Sequence, residues 1–201
     1  MMLGAVWWQL SRSTGIVAWL FATAAVIFGV LISGRGLGAD MKANWLTDLH
    51  RWLGALTLWF LMLHLVALWA DSYVEFTPTE LVVPFASDWK RLAVAWGVIA
   101  MWLLVAVELS SLVKSKISRS AWKSIHLMSY VSFFAATFHG LTAGTESKQA
   151  WFVIATLAGV VAVSITTVVR VLAERKRRVV IRQSATAPDG HTSRAPDSLA
   201  S

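Results

Sequence analysis

Four histidines, His50, His64, His126 and His139, fall in or at the edge of long apolar stretches of a 201-residue chain, and a fifth, His191, stands in a polar tail and reads as idle. An ionisable side chain at membrane depth is costly and as a rule marks a function. His50 and His64 are 14 residues apart and His126 and His139 are 13 apart, which on a helix is about 21 and 20 Å of rise. With the two helices running in the same direction, the rings can oppose each other at two matched heights, His50 with His126 and His64 with His139. Two neutral imidazoles facing each other across a gap suit a bis-imidazole haem, and a bilayer core about 30 Å thick has room for two, one above the other. The chain has no cysteine, which removes zinc-thiolate and iron–sulfur sites and makes imidazole-bound iron the natural reading.

The angular register is uneven. At about 100° per residue, His64 returns to within about 40° of the face of His50, whereas His139 lies about 140° from His126. A distorted helix, or two haems turned differently about the membrane normal, would each absorb the difference. Other uses of intramembrane histidine also stand. A histidine can simply hydrogen-bond a neighbouring helix, and a proton relay or divalent-metal transporter uses histidines together with acidic partners at the midplane. The one clearly intramembrane carboxylate is Glu108, near the end of an apolar stretch.

The elements that must position these residues are membrane helices. With 57% hydrophobic and 14% charged residues and a mean hydropathy of +0.62, the chain is too apolar for an ordinary soluble enzyme or for disorder. Five stretches reach the roughly 20 apolar residues that a span requires: 15–33, 52–70, 92–113, 124–142 and 149–169. The expected fold is all-α, a bundle of five transmembrane helices. Residues 1–14 read as an interfacial lead-in rather than a cleaved signal, having no basic start and no small-residue cleavage site. Residues 15–172 form the expected haem-binding domain, and 173–201 a basic, disordered cytoplasmic tail.

Segments 35–51, 114–123 and 170–201 hold three, four and seven of the 18 lysines and arginines. The positive-inside rule then puts the N-terminus outside and the C-terminus inside, in a multi-pass cell-membrane protein. The net charge of +7 is accounted for by this topology and by anionic lipid, so no nucleic-acid partner is required. Trp7, Trp8, Trp45, Trp89, Trp122 and Trp151 stand near span ends, where amphipathic rings anchor. Trp52, Trp59, Trp96 and Trp102 read as packing.

Paired histidines at this spacing also occur in quinol-oxidising cytochromes b, and the surrounding words narrow the field. They are Ser11-Arg12-Ser13-Thr14-Gly15, Asp48-Leu49-His50-Arg51, Leu81-Val82-Val83-Pro84-Phe85-Ala86-Ser87, Arg119-Ser120-Ala121-Trp122-Lys123-Ser124-Ile125-His126 and His139-Gly140-Leu141. Together they resemble the bacterial ferric-reductase-like transmembrane domain over residues 11–145, a domain shared with NADPH oxidases and with the haem subunit of the methionine sulfoxide reductase system. The resemblance implies two b-type haems, an inner one on His50 and His126 and an outer one on His64 and His139. It also implies electron transfer from a cytoplasmic flavin to an acceptor on the far side.

The residues after 174 are too few for a flavin or nicotinamide domain, and no GxGxxG fingerprint opens a βαβ unit. The donor is then a separate flavoprotein or a membrane quinol, the acceptor is extracytoplasmic, and the chain is an oxidoreductase component with no catalytic acid, base or nucleophile. A single-haem subunit serving a periplasmic reductase, and a haem-free transporter or scaffold, are the rival readings.

Propionates call for basic partners. Arg51 and Lys123 suit the inner haem and Arg12 the outer, although each also serves as a topology marker. A ligating imidazole needs its second nitrogen held, and backbone carbonyls one turn earlier or Ser129, Ser132 and Thr137 are candidates. Trp59, Phe60, Phe133 and Phe134 stand between the two levels, either lining the gap or packing the bundle. Segment 75–88, with Pro78, Pro84 and apolar Leu81, Val82 and Val83, reads as a short helix lying on the outer surface over the outer haem.

Overall fold

In the computed structural model, which describes residues 2–33, 43–72 and 74–186, the chain is helical, and no strand occurs among the described residues. Five long helices, α1 (Met2–Ser33), α2 (Ala43–Ala70), α4 (Arg91–Leu112), α5 (Arg119–Ala143) and α6 (Ala150–Thr186), are joined by a short α3 (Pro78–Val82) and a 3₁₀ turn at Thr145–Lys148. Four helical segments, Val6–Ser33, Asn44–Ala70, Arg91–Leu112 and Ala150–Gln183, are long and apolar enough to cross a bilayer. The chain is a multi-pass membrane protein. The expected span 124–142 falls on α5, which at 25 residues is long enough to cross but holds no segment as apolar as those four. Arg119, Lys123, His126 and His139, with several serines and threonines, dilute its apolar residues.

Two expected boundaries change. The lead-in, from Met2 on, is the first turns of α1. Helix α6 continues past Glu174 to Thr186, so residues 173–186 are helical rather than part of a disordered tail. Glu174 there pairs with Arg170 and Arg178 one turn away on either side, the i,i+4 arrangement that supports an exposed helix. His191 lies outside the described residues.

Helix α1 packs along α2, and α4 along α5, while α1 also meets α5 and α6. The α1–α5–α6 junction is locked by Trp19. Its ring stacks on buried Phe133 at 5.9 Å, its indole N–H donates to Thr137 Oγ1 at 2.9 Å, and it occupies the space above Gly159, where a Cβ would stand 2.5 Å away. Ser132 Oγ donates to Ala100 O at 2.8 Å and ties α5 to α4.

Between α2 and α4 the chain folds back as a hairpin, and the short helix expected within 75–88 is α3, Pro78–Val82. Thr77 caps α3 with a reciprocal bond to Glu80, Pro78 starts the helix, and Leu81 is buried among Val94, Val98 and Met101 of α4, with Leu61, Leu65 and Leu68 of α2 packed around them. The indole of Trp102, three turns into α4, donates to Val82 O at 2.7 Å, and Arg91 Nε donates to Phe85 O at 2.9 Å. These bonds serve carbonyls that a non-helical segment would leave unpaired. The three described non-glycine residues with positive φ, Glu75, Phe85 and Lys90, all belong to this hairpin, a concentration of local strain held by surrounding contacts.

Candidate functional site

Helices α2 and α5 line a common internal cavity of about 1000 Å³, at the upper end of the usual range for a ligand pocket. All four predicted histidines reach it. His50 and His126 meet at its one end with ring centroids 5.9 Å apart, and His64 and His139 at the other with centroids 6.4 Å apart. The pairing expected from the spacing is therefore the pairing observed.

The second nitrogen of each ring is engaged, and by partners the sequence reading did not name. His50 Nδ1 donates to Ala25 O at 2.9 Å, His64 Nδ1 to Ser11 O at 2.6 Å and His139 Nδ1 to Ala93 O at 2.8 Å. These carbonyls belong to the neighbouring helices α1 and α4, not to the turn preceding each histidine. Ser132 and Thr137 are committed elsewhere, to Ala100 O and to Phe133 O. A proton held on Nδ1 leaves the Nε2 lone pair free. Each pair can thus present two neutral nitrogen ligands to one metal centre from opposite sides.

Glycines make these bonds possible. Gly15 lies under His64, Gly29 under His50 and Gly97 under His139, where an added Cβ would stand 3.0, 3.1 and 2.7 Å from the nearest ring atom. In each case the accepting carbonyl is four residues before the glycine. That carbonyl already accepts the glycine's own N–H within the helix, and without a Cβ the ring can reach it from the side. The fourth ring differs. His126 Nδ1 lies 3.4 Å from Ser111 Oγ and stacks on Trp122. The seats on α4, residues 97 and 111, are 14 apart, while the histidines on α5 are 13 apart. The two rings of this uninterrupted helix therefore cannot repeat one geometry, and His126 takes the hydroxyl in place of a carbonyl.

The predicted basic residues divide. Arg12 and Lys123 line the cavity, whereas Arg51 is 75% exposed and turned toward Asp48 on its own helix. Arg119 and Arg170, which the sequence did not mark as propionate partners, also line it. Buried donors without a partner are found at both ends: Arg12 Nε, beside an ion pair of Arg12 with Glu146, and Trp122 Nε1 with Arg170 Nε near His126 and His50. Such orphaned N–H groups call for an acceptor. Of the aromatics expected between the levels, Phe133 lines the cavity, Phe60 packs on Phe21, and Trp59 and Phe134 face outward. Glu108 reaches the cavity wall, packed against Gly54. Among the described residues no group of three or more histidines or carboxylates is placed to hold a bare metal ion.

A family model described as the ferric reductase like transmembrane component matches residues 14–137, more than half of the chain. Neither the curated proteins nor the solved structures provide a match.

Proposed function

This chain belongs to the ferric reductase like transmembrane component family, and from that membership we propose that it is a b-type membrane cytochrome holding two haems, one at each histidine pair. The observation that carries the proposal is the pair of opposed imidazoles at either end of one cavity, each with Nδ1 already engaged. Two metal–nitrogen bonds of about 2 Å, plus about 1 Å from each ring centre to its nitrogen, put centroids about 6 Å apart. The observed 5.9 and 6.4 Å agree with that requirement.

Haem supplies a one-electron iron couple when bound. The chain's own residues do the rest. The α1 and α4 carbonyls and Ser111 orient the imidazoles, Arg12 at one end and Lys123, Arg170 and Trp122 at the other would meet the propionates, and Leu81 and Phe76 of the hairpin line the wall beside His64 and His139. In this reading α5 is the fifth span, packed chiefly on α4 and also against α1. The basic segments lie in the cytoplasm, His50 and His126 form the inner site, and His64 and His139 form the outer. The donor is a separate flavoprotein or a quinol, and the acceptor is extracytoplasmic.

The test is the dithionite-reduced minus oxidised spectrum of the purified protein, with haem quantified per chain. Two b-type haems support the proposal. One haem favours the single-haem rival, and none after expression with ample haem overturns the electron-transfer reading.

A further inference from the structure

Three imidazoles end on a backbone carbonyl and the fourth ends on a side chain. The three acceptors and their seats, Ser11 with Gly15, Ala25 with Gly29 and Ala93 with Gly97, share one spacing, and Val107 with Ser111 repeats it. At the fourth seat the carbonyl is closed to the ring. Ser111 Oγ donates to Val107 O at 2.9 Å, and Ser110 Oγ donates to the same atom at 2.9 Å. With its proton spent there, the Ser111 oxygen is left to accept His126 Nδ1–H at 3.4 Å, beyond the common range of about 2.7–3.2 Å and therefore a weak bond. The ring opposite, His50, has a full carbonyl bond at 2.9 Å.

We propose that Ser111 is a positioning residue that makes His126 a weaker electron donor than the three carbonyl-bonded ligands, and so sets the reduction potential of the haem at the His50–His126 pair above what a glycine–carbonyl seat would give. The inference rests on the haem reading above. A strong acceptor on Nδ1–H gives the imidazole more anionic character and makes it a more basic ligand, which favours ferric iron. Hydrogen bonding to the axial ligand is one of the levers by which a protein sets a haem potential. At Ser111 that lever is relaxed.

The test is a redox titration of the full haem-loaded protein, following both haems optically and by the low-spin g-values of the ferric forms. Ser111→Ala leaves Nδ1–H with no acceptor, and the potential of one haem rises while the other stays. The double variant Ser110→Ala with Ser111→Gly rebuilds the arrangement found at Gly97, and the same haem moves down. A tenfold change in its reduction equilibrium, about 59 mV for one electron, is the expected scale. Ser111→Thr keeps the hydroxyl and stays close to wild type. Loss of one haem in Ser111→Ala but not in Ser111→Thr also supports the positioning role. Unchanged potentials in the alanine and double variants, or both variants shifting in one direction, overturn the inference while leaving the haem reading intact. Fewer than two haems in the wild type overturns that reading instead, and the inference with it.

Discussion

Gly97 on α4 and His139 on α5 meet so closely that a methyl group at residue 97 would stand 2.7 Å from His139 Nδ1. The contact lets the imidazole reach Ala93 O, and the same seat recurs under His64 at Gly15 and under His50 at Gly29. Close approach of this kind is a use of glycine that no other residue can match.

Gly97→Ala is therefore expected to displace His139 and, on the proposed two-haem reading, to lower the haem content from two toward one per chain, as measured by pyridine haemochrome. Gly140→Ala is the control. A Cβ there meets only Phe152 at an ordinary 3.7 Å, so it should leave both haems. Equal haem in the two variants would mean that the glycine seat is incidental.

Arg170 and Arg51 should separate in their effects. Arg170 lines the cavity with its Nε buried and unpartnered, while Arg51 is exposed beside Asp48. A charge-assisted hydrogen bond contributes about 1.5–3 kcal/mol, so on the proposed haem reading Arg170→Gln is expected to speed haem loss at the His50–His126 pair at least several-fold. Arg51→Gln should leave the rate unchanged. The rate of haem transfer to an excess of an apo-haem acceptor reads both, and the reverse ranking would restore Arg51 as the propionate partner.

Trp102 pins the hairpin through Val82 O. Trp102→Phe keeps most of the apolar surface but removes the donor, a net loss of about 1 kcal/mol for one hydrogen bond. Limited proteolysis of the detergent-solubilised protein should cut faster within 71–90 than in wild type. Unchanged cleavage would show that burial of Leu81 and Phe76 holds the hairpin unaided.

The hairpin also carries a pH dependence. Hydrogen bonds from the Thr77 backbone N–H and hydroxyl hold the Glu80 carboxyl below its ordinary value. A depressed carboxyl stabilises the folded form above its unfolded pKa, and that contribution is lost as pH falls through the folded value. Hydrogen-exchange protection of the α3 amides, relative to the intrinsic rate at each pH, is expected to fall below the usual carboxylate range in wild type, and to be low with no acid transition in Glu80→Ala. An acid response that survives in Glu80→Ala would point to another group.

Much of this protein is local and so was legible in the chain. Apolar run length and basic flanks identify the membrane helices, and a rise per residue that hardly varies sets the four histidines at two heights. The same locality explains the errors. Composition alone makes 174 onward a tail, but α6 simply continues its hydrogen bonding to Thr186, and the pocket between α2 and α4 that buries Leu81 of the short helix is not written in hydropathy. Arg51 stands next to a histidine in sequence, yet neighbours along a helix point about 100° apart, so it faces away from the cavity that His50 enters.

The acceptors of the imidazole protons were out of reach for a different reason. Ser11, Ala25 and Ala93 are backbone carbonyls on other helices, and nothing in a residue's type announces that its carbonyl will be used. Glycines at 15, 29 and 97 were the available signal, each four residues after the acceptor, but their meaning depends on which helix packs over them. The sequence by itself determined the class of protein and the depth of its histidines. Only the packing of α1 on α2 and α4 on α5 decided where each ring sits, which proton it donates, and that Ser111 departs from the pattern of the other three.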